Sequence, residues 1–226
     1  MSTVLITGAN RGIGLAFARA YAADGWRVFA ACRDPAGAEA LSGVGGEVSL
    51  HRLDVTQSDQ VAALARELGS DDIDILLNNA GVGYAGDGRD GVDADEWLRV
   101  FDVNTVGAVR MVDAFRGHVA RSRRRVISSI SSGLGSIGDN TSGGWAAYRA
   151  SKAALNMAMR TYSVELSADG ICCLVLSPGW VQTDMGGSGA TLAPEESVRR
   201  MRKILDAAGP AQSGHFYHHT GAEFQW

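Results

Sequence analysis

Apolar residues along this chain of 226 gather into short runs, separated by stretches in which they return every three or four positions. The runs cover 3–7, 26–32, 48–55, 73–79, 124–131, 170–177 and 215–220. A run of this length rich in apolar residues suits a strand buried on both faces, as in a parallel sheet. The stretches 13–23, 58–69, 95–121 and 149–168 carry helical spacing. In the third, Leu98, Phe101, Thr105, Val109, Val112, Phe115 and Val119 form one apolar stripe. Alternating segments of this kind predict an α/β fold: one Rossmann-type, doubly wound parallel sheet with helices on both faces and right-handed crossovers. No internal repeat and no linker rich in Pro, Gly or Ser divides the chain, so residues 1–226 read as a single domain. The glycine-rich stretch 81–91 reads as a surface loop near the strand ends.

Composition narrows the function classes. A net charge of −4 and a pI near 5.7 argue against a nucleic-acid partner or an anionic membrane surface. The one basic run, Arg121 to Arg125, reads as a solvated helix end before a strand. Three cysteines, Cys32, Cys172 and Cys173, make no disulfide framework and fit a reducing cytoplasm. No apolar run approaches the ~18 residues that span a bilayer. Met1-Ser2-Thr3 enters the first apolar run without a basic segment, so no signal peptide is expected and the expected location is cytoplasmic. His218 and His219 are neighbours on an expected strand and so point to opposite faces. With no Cys/His/Asp cluster to join them, no metal site is expected.

The first chemistry-bearing stretch is TGANRGIG at 7–14, between a strand and a helix. Gly8, Gly12 and Gly14 permit a tight turn and close backbone approach, and the helix start offers N–H groups to a pyrophosphate. A dinucleotide cofactor is expected there, with the cofactor half of the chain at about 1–105 and the catalytic and substrate half at about 106–226. An NAD site wants an acidic residue ending the second strand. That strand end falls at Cys32 and Arg33, and Asp34 precedes Pro35 and reads as a helix N-cap. Arg33, with Arg11 as a second cation, suits a ribose 2′-phosphate. NADP(H) is therefore expected over NAD(H).

The second stretch is AAYRASKAAL at 146–155. It places Tyr148 four residues ahead of Lys152, on one helical face. The chain has 19 arginines and only two lysines, so an ammonium at this position stands out.

Together these stretches resemble the short-chain dehydrogenases/reductases. The resemblance also rests on LDV at 53–55, NNAG at 78–81, VNTVG around Asn104, ISSGLGSI at 130–137 and PGWVQTDM at 178–185. The stretch 135–157 looks most like C-factor-like and sniffer-like carbonyl reductases. The resemblance implies an NADP(H)-dependent oxidoreductase moving hydride between nicotinamide and a carbonyl or alcohol. It implies a catalytic set of Asn104, Ser132, Tyr148 and Lys152, with Ser131 as the next candidate serine. It implies cofactor contacts from Gly8, Asn10, Arg11, Gly12, Ile13 and Gly14, from Asp54 and Val55 at the adenine, and from Asn78, Ala80 and Gly81 at the fourth strand's end. Tyr148 and Lys152 also belong to that set, and Pro178, Gly179, Val181 and Thr183 would hold the nicotinamide.

The chemistry explains the pair. Reduction leaves negative charge on an oxygen, and a phenol near pKa 10 gives up its proton at neutrality only at a cost of about 4 kcal/mol. A cation within ~4–6 Å lowers that cost, and Lys152 is expected to supply it. Asn104 is expected to hold a water relaying protons to Lys152, and Ser132 to position the substrate oxygen. Trp145, Leu134, Trp180 and Met185 flank these motifs and suggest an apolar or aromatic carbonyl.

Two departures concern the substrate pocket. Ser132 and Tyr148 stand 16 positions apart, more than in many members, so 136–147 carries an insertion. The stretch after Met185, where larger members build a lid, is short. The alternative reading is a cofactor-binding signalling or sensor protein of the C-factor type. An epimerase acting on sugar nucleotides would need a larger C-terminal region. The resemblance also implies a homodimer or homotetramer paired through 95–121 and 149–168, or a monomer whose insertion covers that surface.

Overall fold

The computed structural model describes residues 1–83 and 93–226, so most of the expected glycine-rich surface loop at 81–91 lies outside the described residues. Seven strands form one parallel sheet: β1 (Thr3–Thr7), β2 (Arg27–Cys32), β3 (Val48–Arg52), β4 (Ile75–Asn78), β5 (Val126–Ile130), β6 (Cys172–Ser177) and β7 (Phe216–His218). Their order is β3-β2-β1-β4-β5-β6-β7. The central strands β1, β4, β5 and β6 are buried throughout, which is why they are largely apolar, with Ser128 and Ser129 of β5 as buried polar exceptions.

The helices are α1 (Gly12–Ala23), α2 (Glu39–Ser42), α3 (Ser58–Leu68), α4 (Ala94–Phe101), α5 (Gly107–Arg121), α6 (Ala146–Glu165) and α7 (Pro194–Asp206). Strand side chains alternate between two cores. Val4 and Ile6 pack with Phe17 and Tyr21 of α1 and Val198, Met201 and Leu205 of α7. Leu5, Leu76 and Ile127 pack with Leu64 of α3, Phe115 of α5, and Leu155 and Met159 of α6.

Three features depart from the pattern reading. The expected helix 95–121 is broken by a widened π-type turn at Asp102–Val106. One inserted position rotates the two halves by about 100° relative to each other. Val112, Phe115 and Val119 are buried as the stripe predicts, but Leu98 is 68% exposed and Val100 and Asn104 are buried in its place. Helix α7 lies where the pattern predicts none, although Pro194 at its start, Glu195 and Glu196 in its first turn and the 3–4 spacing of Val198, Met201 and Leu205 all signal it. Asp34 caps a turn and not a helix: its carboxylate accepts the Gly37 N–H at 3.2 Å, and α2 begins only at Glu39. Pro35 is thus a turn residue.

The basic run does more than end a helix. Arg121 pairs with Asp72 at 3.4 Å, and Arg124 donates to the Leu205 carbonyl at 2.8 Å, tying α5 and β5 to the end of α7. The three cysteines are buried and unpaired. No described helix is long and apolar enough to cross a membrane.

Candidate active site

Crossovers run one way from β1 to β2 and β3, then return to β4. The crevice of such a sheet opens between β1 and β4, beyond the strand ends. Both ends are laced together there. Thr7 Oγ1 accepts the N–H groups of Asn79 and Ala80, each at 3.0 Å. Asn79 Nδ2 donates to the carbonyls of Thr7 at 2.9 Å and Gly8 at 3.1 Å. Gly8 has φ of +65°, and a Cβ on it would stand 3.0 Å from Ala80 Cα, so no other residue fits. A Cβ on Gly14 would run into the Gly8 carbonyl and the Asn79 amide. Gly14→Ala is therefore expected to lower thermal stability by several degrees and weaken cofactor binding, read by calorimetry and nucleotide titration.

Asn79 is the residue the motif reading missed. Asn78 turns the other way, donating to Ser129 Oγ at 3.3 Å inside the sheet. Adjacent strand positions face opposite sides, and that alternation was the available signal. Asn78 thus ties β4 to β5.

Helix α1 opens at Arg11 without a side-chain cap and without an acidic residue in its first turn. Its N-terminal N–H groups remain for an anion. Gly12 brings this turn against the loop after β6: a Cβ there would lie 3.1 Å from Thr183 Cγ2. Arg11 spans the same gap to pair with Asp184. Arg33, just past β2, is exposed and makes no ion pair among the described residues. Asp54 Oδ1 accepts the Thr56 N–H at 3.0 Å and its hydroxyl at 2.8 Å. Val55 is buried against Gly107 at the start of α5. Asn10 and Ile13 are half-buried in the glycine turn.

Beyond β6, Gly179 (φ +80°) lies against His219, where a Cβ would come within 2.7 Å of Cδ2. His219 thus supports the Pro178–Gly179 turn, and the Pro178 carbonyl accepts the Ser197 hydroxyl of α7 at 2.7 Å. Val181 bridges to Leu192, and Thr183 Oγ1 accepts the Gly186 N–H at 3.2 Å. Among the described residues no Cys/His/Asp/Glu group is arranged to hold a metal ion.

The second half of the site gathers around α6. Lys152 is 4% exposed, and its Nζ donates to the Ile130 carbonyl at 2.8 Å, at the end of β5. It lies 5.8 Å from the centre of the Tyr148 ring. Gly81 lies against both Lys152 Nζ and Asn104 Oδ1, which carries the β4 loop into the same corner. Asn104 sits in the widened turn. Its Oδ1 accepts the Val82 N–H at 2.8 Å, and its Nδ2 donates to the Val82 carbonyl at 2.9 Å and to Ser151 Oγ at 3.0 Å. The Ser132 hydroxyl lies beside the Tyr148 phenol and accepts the Leu134 N–H at 3.2 Å. The Ser131 hydroxyl is buried without a partner, so Ser132 is the serine beside the phenol.

The electrostatics differ from expectation. Burial pushes Tyr148 above the ordinary phenol value, and the neighbouring Ser132 hydroxyl pulls only partly against it. Burial also pushes Lys152 down, to about 8. Desolvation dominates both shifts, because both groups leave water and Lys152 turns its ammonium to a neutral carbonyl. Near pH 7 the phenol is thus held protonated, and the lysine ammonium holds its proton less tightly than in water.

An uncapped glycine turn at the crevice of a doubly wound sheet, facing a buried Ser–Tyr–Lys corner, defines a nicotinamide-dinucleotide oxidoreductase. The chain belongs to the short-chain dehydrogenase family of NAD(P)-dependent enzymes: the family model for short chain dehydrogenase matches residues 2–191. It is 40% identical to C-signal of Myxococcus xanthus, over 73% of this chain and 99% of that one. Among solved structures, it is similar to the carbonyl reductase Sniffer of D. melanogaster, with a TM-score of 0.93 and 32% identity over the whole of both chains. It is also similar to an NADPH-bound carbonyl reductase from chicken fatty liver, with a TM-score of 0.92 and 33% identity, covering 100% of this chain and 99% of that one. The expected resemblance to C-factor-like and sniffer-like proteins is borne out. The residues of the cleft fit the cofactor, since the open N–H groups of α1 and the side-chain-free turn leave room for a diphosphate at the point where the sheet presents it.

Proposed function

We propose that this chain is an NADP(H)-dependent carbonyl reductase, able to run as an alcohol dehydrogenase in reverse, with Tyr148 as general acid and base. The observation that carries this reading is the meeting of Ser132, just past β5, with Tyr148 and Lys152 of α6 in one corner, beside the loop that Gly8 touches. The nicotinamide, when bound, supplies or accepts the hydride. The protein's own part is one proton. Ser132 orients the substrate oxygen, and the Tyr148 phenol, kept protonated by burial, donates to it. The Lys152 ammonium below the ring stabilises the phenolate that remains. The Asn104 amide is committed to Val82 and Ser151. In this reading it holds the β4 loop and the widened turn beside Lys152, and any water it holds must use its main chain.

Arg33 is the cation for a 2′-phosphate, because Arg11 is engaged by Asp184. The neighbour crystallised with NADPH supports the same preference. Arg33→Ala is expected to lower the NADPH-over-NADH ratio of kcat/KM by about ten- to a hundredfold, and Arg11→Ala by less.

The substrate is an apolar or aromatic carbonyl. Trp145 and Met185 converge over Gly83, and the Trp145 ring meets Tyr148 edge-on at 6.2 Å. Trp145 adopts a left-handed backbone (φ +53°), a conformation that costs energy in a bulky residue and recurs at ligand sites. Leu98, Met157 and Val164 stay exposed on α4 and α6. Pairing of copies through these helices into a dimer or tetramer would bury them, and light scattering measures it.

The test is NADPH against NADH oxidation by the purified protein over aldehydes, ketones and quinones. Turnover supports the reductase. Tight NADPH binding with no turnover across the panel favours the second reading, a cofactor-binding signalling protein, which the likeness to C-signal supports.

A further inference from the structure

The loop that follows Ser132 has little with which to hold itself. Three of the six residues from Gly133 to Gly138 are glycine, so its order must come from outside. One side is provided by α6: a Cβ on Gly135 would stand 2.8 Å from Lys152 Cβ. The other side comes from residues 222–226, distant in sequence. After β7 the chain turns and runs back beside it, with the His218 N–H on the Ala222 carbonyl at 2.7 Å and the Phe224 N–H on the Phe216 carbonyl at 2.8 Å. This places the Phe224 ring where a Cβ on Gly133 would meet its Cζ at 3.1 Å. Ser136 Oγ donates to the Gln225 carbonyl at 2.7 Å. The N–H groups of Ile137 and Gly138 donate to the Trp226 carbonyl at 2.9 and 3.2 Å. The rings of Phe224 and Trp226 stack on the fully buried Phe216, with centres 4.7 and 5.7 Å away, so the segment is anchored to the core.

We propose that Phe224 and the Trp226 carbonyl are positioning groups for catalysis: they press the loop 133–138 onto α6, and so hold the Ser132 hydroxyl against Tyr148 and set where the 136–147 loop leaves the site. This rests on the reductase reading above. Ser132 is bound to its loop through the Leu134 N–H, so a loop that relaxes by about 1 Å carries the hydroxyl out of line with the reacting oxygen, a misplacement that costs up to about a hundredfold in rate. The glycine turn and the β1 and β4 ends of the cofactor cleft are built from other segments and are left as they were.

The experiment compares the full chain with Phe224→Ala, Phe224→Leu, Gly133→Ala and Tyr148→Phe, measuring kcat, KM, NADPH affinity and melting temperature. Phe224→Ala is expected to lower kcat by about tenfold or more with NADPH affinity within about twofold, and Phe224→Leu to recover most of it. Gly133→Ala pushes on the Phe224 ring, so adding Phe224→Leu should restore rate and not compound the loss. A signature independent of turnover comes from 3-fluorotyrosine labelling. The fluorine resonance of Tyr148, assigned by its absence in Tyr148→Phe, is expected to shift or broaden in Phe224→Ala and return in Phe224→Leu. An unchanged kcat and an unchanged resonance in folded Phe224→Ala overturn the proposal, while a dead Tyr148→Phe leaves the reductase reading in place. An active Tyr148→Phe overturns that reading itself. If Phe224→Ala fails to fold, Phe224→Leu and Gly133→Ala decide by the same measurements. If no carbonyl is turned over, the resonance decides.

Discussion

Tyr148→Phe is expected to lower kcat for carbonyl reduction by about 10²–10⁴-fold, the range that a positioned general acid contributes. NADPH affinity should stay close to that of the parent, because the ring keeps its place against Trp145 and above Lys152. The substitution removes only the hydroxyl that lies beside Ser132. Stopped-flow reduction and nucleotide titration separate the two quantities. Turnover that survives the substitution would show that another group supplies the proton, and it would remove the central role in the reading above.

Lys152→Met is expected to push activity and stability in opposite directions. Activity falls because the phenolate formed in the reaction loses its cation. Stability rises because the ammonium is buried at a cost. The sign follows from proton binding. Lys152 holds its proton less tightly in the folded chain, at about 8, than in the unfolded chain, near the ordinary lysine value. The unfolded state therefore binds more protons between those values, so the parent gains stability as pH rises through that window and carries the full penalty below it. That penalty is of order 3 kcal/mol at pH 7. The carbonyl of Ile130, left without its donor, takes back about 1–2 kcal/mol. The net expectation near neutrality is a melting temperature higher by a few degrees, with the pH dependence of stability between about 8 and 10 flattened. The parent's kcat/KM for reduction should fall as pH rises through about 8, and that step should be missing from the residual activity of the variant. A destabilised Lys152→Met at pH 7 would show that the hydrogen bond to Ile130 outweighs the burial cost.

Part of this site was open to reading in the chain alone. The parallel strands were legible because burial on both faces favours apolar runs, as in β1, β4 and β6, although β5 also buries Ser128 and Ser129. The glycine turn and the Tyr148–Lys152 pair were legible because each is local: a tight turn needs its glycines in succession, and two groups on one helical face need a spacing of four. These facts determined the class of chemistry, a dinucleotide cleft with a phenol and an ammonium beside it.

Other features depend on segments far apart in sequence, and only the tertiary structure decided them. It chose Asn79 over Asn78 for the strand-end clasp, because pleating sends neighbouring side chains to opposite sides. It engaged Arg11 with Asp184, 173 positions away, leaving Arg33 exposed. It broke the long helix at Asn104, exposing Leu98. It raised Tyr148 and lowered Lys152, since the cost of desolvation depends on how deeply a group lies and not on its spacing from a partner. It also laid residues 222–226 against the loop after Ser132, a contact with no local signature. Spacing along the chain determines which groups can meet within one element, whereas burial and long-range packing decide which of them share a site and how tightly they hold a proton.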